Sequence, residues 1–161
     1  MPITKVKLTK IDIETLKNRK ERNSKMRISI LAFFLFLLLV SYLILDNEFY
    51  KFLKIIVIVI TSFFLLGSLL DANYDYDLKQ KEKYVGFVKV KEKKYWRDSE
   101  DDTEYHTINF DDWRIGNKHF HKKTWNEINK GDEFYVEQGC TSGYTLILRK
   151  DDIDFIDKII R

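Results

Sequence analysis

The sequence has a single cysteine, Cys140. One thiol cannot close an intrachain disulfide and cannot supply a Cys-rich zinc site, so neither staple enters the fold. It also accords with a reducing compartment for the C-terminal part. A surplus of positive charge is missing from that part too. Residues 71–161 carry a net charge of −3, which argues against a nucleic-acid footprint, where Lys and Arg gather on one face to neutralise phosphates. The overall charge of +3 comes from residues 1–27, which hold nine Lys or Arg against three acids. A third absence is charge within two long runs. Residues 28–45, ISILAFFLFLLLVSYLIL, and 55–70, IIVIVITSFFLLGSLL, contain no Asp, Glu, Lys, Arg or His. Without ionisable groups, neither run offers a proton relay or an ion path of its own.

What the runs do offer is length and apolarity. Eighteen residues of helix cover about 27 Å, close to the hydrocarbon thickness of a bilayer. Phe52 and Leu53 extend the second run, and Lys54 can snorkel to an interface. The reading is a two-helix transmembrane hairpin over 28–70, with spans at 28–45 and 52–70 and DNEFYK, 46–51, as the turn. A buried hairpin in a globular protein is disfavoured, because too little other chain exists to cover both helices. A cleavable signal peptide is disfavoured by the length of the first run and the lack of a small-residue cleavage site. The basic arm, 1–27, precedes the first span, so the positive-inside rule sets both termini on the cytoplasmic side. The expected location is a bacterial cytoplasmic (inner) membrane, multi-pass. The 21 Lys against 7 Arg agree with an AT-rich bacterial genome. No G-x-x-x-G occurs, so dimerisation through the spans has little support.

Within the arm, Thr9 stands three residues before Asp12, the spacing of a capping box. The leading reading of the arm is a frayed basic tail that only sets topology, and the alternative is a short interfacial helix. Its basic cluster, Lys17, Arg19, Lys20, Arg22, Lys25 and Arg27, is expected to meet anionic lipid headgroups.

After a polar stem, 71–83, the period changes from helical to alternating. In YVGFVKVKEKKYW, 84–96, Val88 and Val90 oppose Lys89 and Lys91, which reads as a long strand. YHTINF, HFH, DEFYVEQ and YTLILR read as four more strands. KKTWNEINK reads as one or two helical turns ended by Gly131 in a left-handed corner. About five strands with a helical turn before the fourth predict a small, closed or partly closed, all-β barrel of OB or SH3-like size over 84–161. A fragment beginning near Lys79 is expected to fold alone. DDIDFIDKIIR has acids first and cations last, which predicts a C-terminal helix with Ile153, Ile156 and Ile160 as its apolar stripe.

The run TWNEINKGDEFYVEQ…SGYTLIL, with YVGFVKV before it, resembles the small β-barrel domains of two-span bacterial membrane proteins, the NfeD-type proteins and related families of unknown function. The resemblance covers 84–149 and lacks the Gly-rich hairpin that follows the first strand of those barrels. It implies an architecture and a scaffold or partner-binding role, and carries no site residues.

Of the chemical candidates, His119 and His121 are two apart on a strand and so share a face; with His106 or Cys140 they could ligate zinc. If Phe120 points into the core, both face solvent. DSEDDTE, 98–104, has oxygen ligands but not the glycine or spacing of a calcium loop. Asp111 and Asp112 read as turn residues. Cys140 has no flanking base to make it a nucleophile. Trp96, Trp113 and Trp125 read first as core packing; they are the candidate interaction residues should their rings be exposed, where aromatics supply contact area. The expected function is a non-enzymatic inner-membrane accessory or scaffold protein, without cofactor, that presents its barrel to an unknown protein partner. The alternatives are a toxin-immunity protein and a metal-binding site at His119 and His121.

Overall fold

A computed structural model describes residues 2–44, 55–56, 58–59, 72–98 and 102–160. The chain opens with strand β1, Thr4–Lys7, and helix α1, Lys10–Ile44. A helical segment, 72–80, leads into β2, Glu82–Arg97, and β3, Glu104–Phe110. Then follow β4, Lys118–His119, helix α2, Lys122–Glu127, β5, Glu133–Gly139, β6, Thr145–Lys150, β7, Ile153–Asp154, and a 3-10 turn, Ile156–Lys158.

Helix α1 starts where the sequence signals it. The Thr9 backbone N–H donates to Asp12 Oδ2 at 2.7 Å, and the Asp12 N–H donates to Thr9 Oγ1 at 3.2 Å. This reciprocal capping box satisfies two donors that a helix start leaves open.

All pairings are antiparallel, and the strands form one curled sheet in the order β4-β3-β2-β5-β6-β7, with β1 joined to β2. The 16 residues of β2 serve three partners: 82–85 pair with β1, 83–89 with β5, and 90–97 with β3. The register shifts between Val90 and Glu92, so Lys91 is an extra residue in the ladder. Such a bulge bends a strand and increases its twist, which lets one strand belong to both halves of a half-barrel. A bridge between Phe120 and Ile159, with Ile160 N–H donating to His119 O at 2.8 Å, brings the C-terminal end back to β4.

The concave face holds the core. Val88, Val90, Ile108, Phe120, Phe134, Val136 and Leu148 are almost fully buried there. Phe134 stacks edge-on against Phe155 at 5.3 Å and Phe110 at 5.8 Å. Alternation puts Lys83, Val85 and Phe87 on the other face of β2, and α1 covers part of that face, where Leu16 is fully buried.

Three expectations are corrected. The predicted transmembrane hairpin is not seen: among the described residues no helix is long and apolar enough to cross a membrane. The apolar residues 28–44 of α1 continue directly from a charged first half of the same helix. The arm is not separate; it is the first half of α1 and, in β1, a strand of the sheet. The turn 46–51 lies outside the described residues, as does the second run, 52–70, apart from Ile55, Ile56, Ile58 and Val59, which are helical and exposed. The fold class, the membrane location and the two-sided topology built on it fall with the hairpin.

The other corrections lie in the sheet domain. The sheet has seven strands and begins at β1, so 84–161 is not a self-contained five-strand barrel. The C-terminal helix is replaced by β7 and a 3-10 turn, because Asp151 and Asp152 take left-handed conformations, φ 49° and 65°, that fold β7 back on β6.

Candidate functional site

The β2–β3 ribbon carries the outward surface. On one face the register sets Glu92 opposite Asn109, Lys94 opposite Thr107 and Trp96 opposite Tyr105. Trp96 and Tyr105 stack in parallel, 4.0 Å between ring centres and 8° apart. Asn109 Nδ2 donates to Glu92 Oε2 at 3.2 Å, and Lys94 Nζ lies 3.3 Å from the same carboxylate. The Asn109 Oδ1 is shut off from solvent and meets no donor among the described residues.

At the far end of this face stands Trp113, 86% exposed. Its turn is tied down on both sides. Asp112 Oδ1 accepts from the Arg114 backbone N–H at 3.0 Å and from Arg114 Nε at 2.8 Å, and Asp112 Oδ2 accepts from Arg114 Nη2. That pairing holds the Asp112 carboxyl below its ordinary pKa and the Arg114 guanidinium above its own. Asp111 Oδ1 accepts the Lys89 N–H at 2.9 Å, and Ile115 plugs the core. Asp111 and Asp112 are turn residues, as their sequence context indicates. Between this turn and the ribbon runs a groove of about 400 Å³, lined among others by Lys91, Lys94, Asn109, Phe110 and Trp113.

Trp125 faces the other way. Its Nε1 donates to Thr107 O at 3.2 Å, its ring meets His106 edge-on at 5.2 Å, and Lys93 Nζ sits 4.1 Å above it. It wedges α2 against β3, while Trp96 and Trp113 remain open to a partner.

The three histidines are not brought together. His106 is buried between Tyr95 and Trp125. Phe120 is fully buried, leaving His119 and His121 exposed on either side of it. His119 Nδ1 is 2.9 Å from Thr107 Oγ1, and His121 occupies the N-cap of α2 without a side-chain cap bond. Among the described residues no three His, Cys, Asp or Glu groups converge on a point that could hold a metal ion. Burial pushes the Cys140 thiol above its ordinary pKa, which makes it a poorer nucleophile. Within the acidic hairpin tip, Arg97 pairs with Asp102, and the Asp98 N–H donates to Thr103 O at 2.9 Å. The basic cluster of α1 is partly engaged inside the chain: Lys20 Nζ lies 2.5 Å from Asp75, and Lys25 Nζ lies 2.7 Å from Glu21.

The most elaborate polar cluster has no counterpart among the sequence-derived candidates. Lys83, from the convex face of β2, places Nζ 2.6 Å from Asp12 Oδ2 and also bonds Glu137 of β5, whose other oxygen accepts from Tyr135 Oη at 2.5 Å. Lys83 and Asp12 are 5% and 7% exposed. Burial pulls the Lys83 pKa down, but the bonds to Asp12 and Glu137 outweigh it and hold the ammonium above its ordinary value. Burial likewise raises Asp12, and its bonds from Lys83 and Thr9 prevail and hold it low. A second buried carboxylate, Asp77 of the 72–80 segment, accepts from the backbone N–H groups of Thr141 and Ser142 at 2.7 and 2.9 Å. The only advance signals of these contacts were the Thr9–Asp12 spacing and a lysine at an inward-capable strand position.

No family model matches the chain, and comparison with curated proteins and with solved structures returned no match, so none bears on the likeness to NfeD-type domains.

Proposed function

We propose that the protein is a non-enzymatic accessory or scaffold protein that binds a protein partner through the outer face of its β2–β3 ribbon, with Trp113 and Trp96 as anchors. The observation that carries this reading is Trp113: a tryptophan 86% exposed on a turn held by the Asp112–Arg114 pair and the buried Ile115. A turn already held loses little further backbone freedom on binding, which lowers the ordering cost of the contact. Tryptophans of this kind dominate interface energetics. The groove beside it adds a buried acceptor, Asn109 Oδ1, and the cations Lys91 and Lys94. Catalysis has less support, since the buried ionisable groups Lys83, Asp12 and Glu137 are committed to one another and lie under α1.

The test is affinity capture from native cells, followed by binding measurements with the purified partner. Trp113→Ala is expected to weaken binding by about 2 kcal/mol or more, roughly 30-fold in Kd, with the melting temperature unchanged. Trp96→Ala is expected to weaken it less. A partner held equally well by wild type and by the double variant removes the ribbon face as the binding surface.

A further inference from the structure

Two hydrogen bonds fix which way the backbone of the β2–β3 ribbon points. The Asp98 N–H donates to Thr103 O at 2.9 Å, a hydrogen-bonded pair of the antiparallel ladder. From there the register steps by one residue on each strand, through Arg97 opposite Glu104 and Trp96 opposite Tyr105, as far as Glu92 opposite Asn109. Hydrogen-bonded and non-hydrogen-bonded pairs alternate along such a ladder. Glu92, Lys94 and Trp96 therefore bond β3, while the N–H and C=O groups of Lys93, Tyr95 and Arg97 point to the other edge of β2. The phase agrees on the far side of β3, where His106 O accepts from the Phe120 N–H at 3.0 Å.

Earlier in β2 that other edge is occupied by β5. The pairing ends at Lys89, and the last bonds across it run from Val90 N–H to Asp132 O and from Gly131 N–H to Val90 O, both 2.9 Å. Beyond them, Lys93 reaches the connection before β5 only through its side chain, which bonds Ile128 O. Among the described residues no backbone group meets Lys93, Tyr95 or Arg97 on this edge. Residues 94–97 are exposed.

An open edge is a template for another extended backbone, because only a strand answers an alternating row of donors and acceptors. The flanks define what that strand would carry. Trp96 stands on one face, stacked on Tyr105, and Tyr95 on the other, against His106; each is 50% exposed. Side chains of an added strand alternate between those faces. Two neighbouring residues of the strand would meet Tyr95 and Trp96 in turn. The fit is to adjacent apolar residues, β-branched or aromatic, and not to a strand that alternates apolar with polar. A second copy of this edge is a poor occupant, since residues 91–97 hold four cations and one acid, and lysines on an edge oppose self-pairing.

We infer that the edge of β2 from Lys93 to Arg97 receives an extended, apolar-rich segment of the partner protein as an added strand. The inference rests on the ribbon being the partner-binding surface, and adds the partner's backbone conformation and side-chain class.

The experiment pans a random-peptide library displayed on phage against the immobilised full chain, then follows amide hydrogen exchange with the selected peptide. In the chain alone, the amides of Lys93, Tyr95 and Arg97 are expected to exchange fast between slow neighbours at Lys94 and Trp96, and the peptide is expected to slow all three. Tyr95→Pro removes an edge N–H without touching the ladder to β3. It is expected to weaken peptide binding about tenfold relative to Tyr95→Ala, the worth of one hydrogen bond. Should the proline variant unfold, the exchange pattern of the wild-type chain decides. The inference is overturned if no peptide with adjacent apolar residues is enriched, or if bound peptide leaves the three amides fast. It is equally overturned if they slow with rising concentration of the chain alone, which would seat a second copy on the edge. Binding that protects the three amides and is indifferent to Trp113→Ala keeps the edge and removes the Trp113 anchor. Binding lost in Trp113→Ala, with the three amides still fast, keeps the anchor and removes the edge.

Discussion

Lys83 Nζ on β2 lies 2.6 Å from Asp12 Oδ2 at the start of α1, across 71 positions of sequence. The bond ties the helix that opens the chain to the convex face of the sheet, and Glu137 closes it from β5. The three groups are a buried ion cluster, and such clusters are costly to break by halves. Lys83→Met is therefore expected to cost about 3–5 kcal/mol, because two carboxylates stay buried without their cation. Adding Asp12→Asn and Glu137→Gln removes the stranded charge and keeps a capping side chain at Asp12. That triple variant should recover a large share of the loss in urea unfolding. If the single and triple variants unfold at the same urea concentration, the cluster is not the attachment.

The same cluster sets a pH window. The Asp12 pKa is lowered from 3.8, so its contribution is present above that value and is lost as pH falls through the lower folded value. The Lys83 pKa is raised from 10.5, so its contribution is present below that value and is lost as pH rises through the higher folded one. Tyr135, half-buried and bonded to Glu137, is pushed from 10.0 to about 12, and its contribution declines over that interval. Melting temperature should hold a plateau between these limits and fall on both sides. In Tyr135→Phe the decline that begins at pH 10 should be shallower. An unchanged alkaline limb would dissociate Tyr135 from it.

Two glycines are required by close approach and one by conformation. A Cβ on Gly86 would stand 2.9 Å from Ile3 Cα and Pro2 O, so Gly86→Ala should loosen β1, read as faster hydrogen exchange at Thr4–Lys7. A Cβ on Gly139 would collide with Asp77 Oδ2 and Ser142 Oγ, so Gly139→Ala should cost about 1–3 kcal/mol by disturbing the Asp77 contacts. Gly131 has open space around it but φ +89°. Gly131→Val should cost about 1–2 kcal/mol through the backbone alone. A stability for Gly131→Val equal to wild type would contradict the left-handed corner.

Fragment 79–161 is expected not to fold. It lacks β1, Asp12 and Asp77, and so leaves Lys83 and Glu137 with half their cluster and the Thr141 and Ser142 N–H groups without their acceptor. Circular dichroism through a urea titration checks this. A cooperative transition like that of the whole chain would restore the independent domain.

Local signals in the sequence were sufficient for features whose causes are local. The Val88/Val90 alternation placed β2, the Thr9–Asp12 spacing carried a capping signal that the start of α1 uses, and Gly131 marked a left-handed corner. Phe120 between two histidines told which way all three point once its burial was known. Tertiary structure decided the rest, because the deciding contacts join residues far apart in the chain. That β1 belongs to the sheet depends on Gly86 admitting its backbone. That the basic arm enters a 35-residue helix docked on the sheet involves Lys83, which bonds both Asp12 and Glu137. That the final segment pairs as a strand depends on two left-handed aspartates and on Phe155 filling the core beside Phe134. Periodicity reports which face of an element is apolar; it carries no record of what that face, or a lysine on its reverse, will meet.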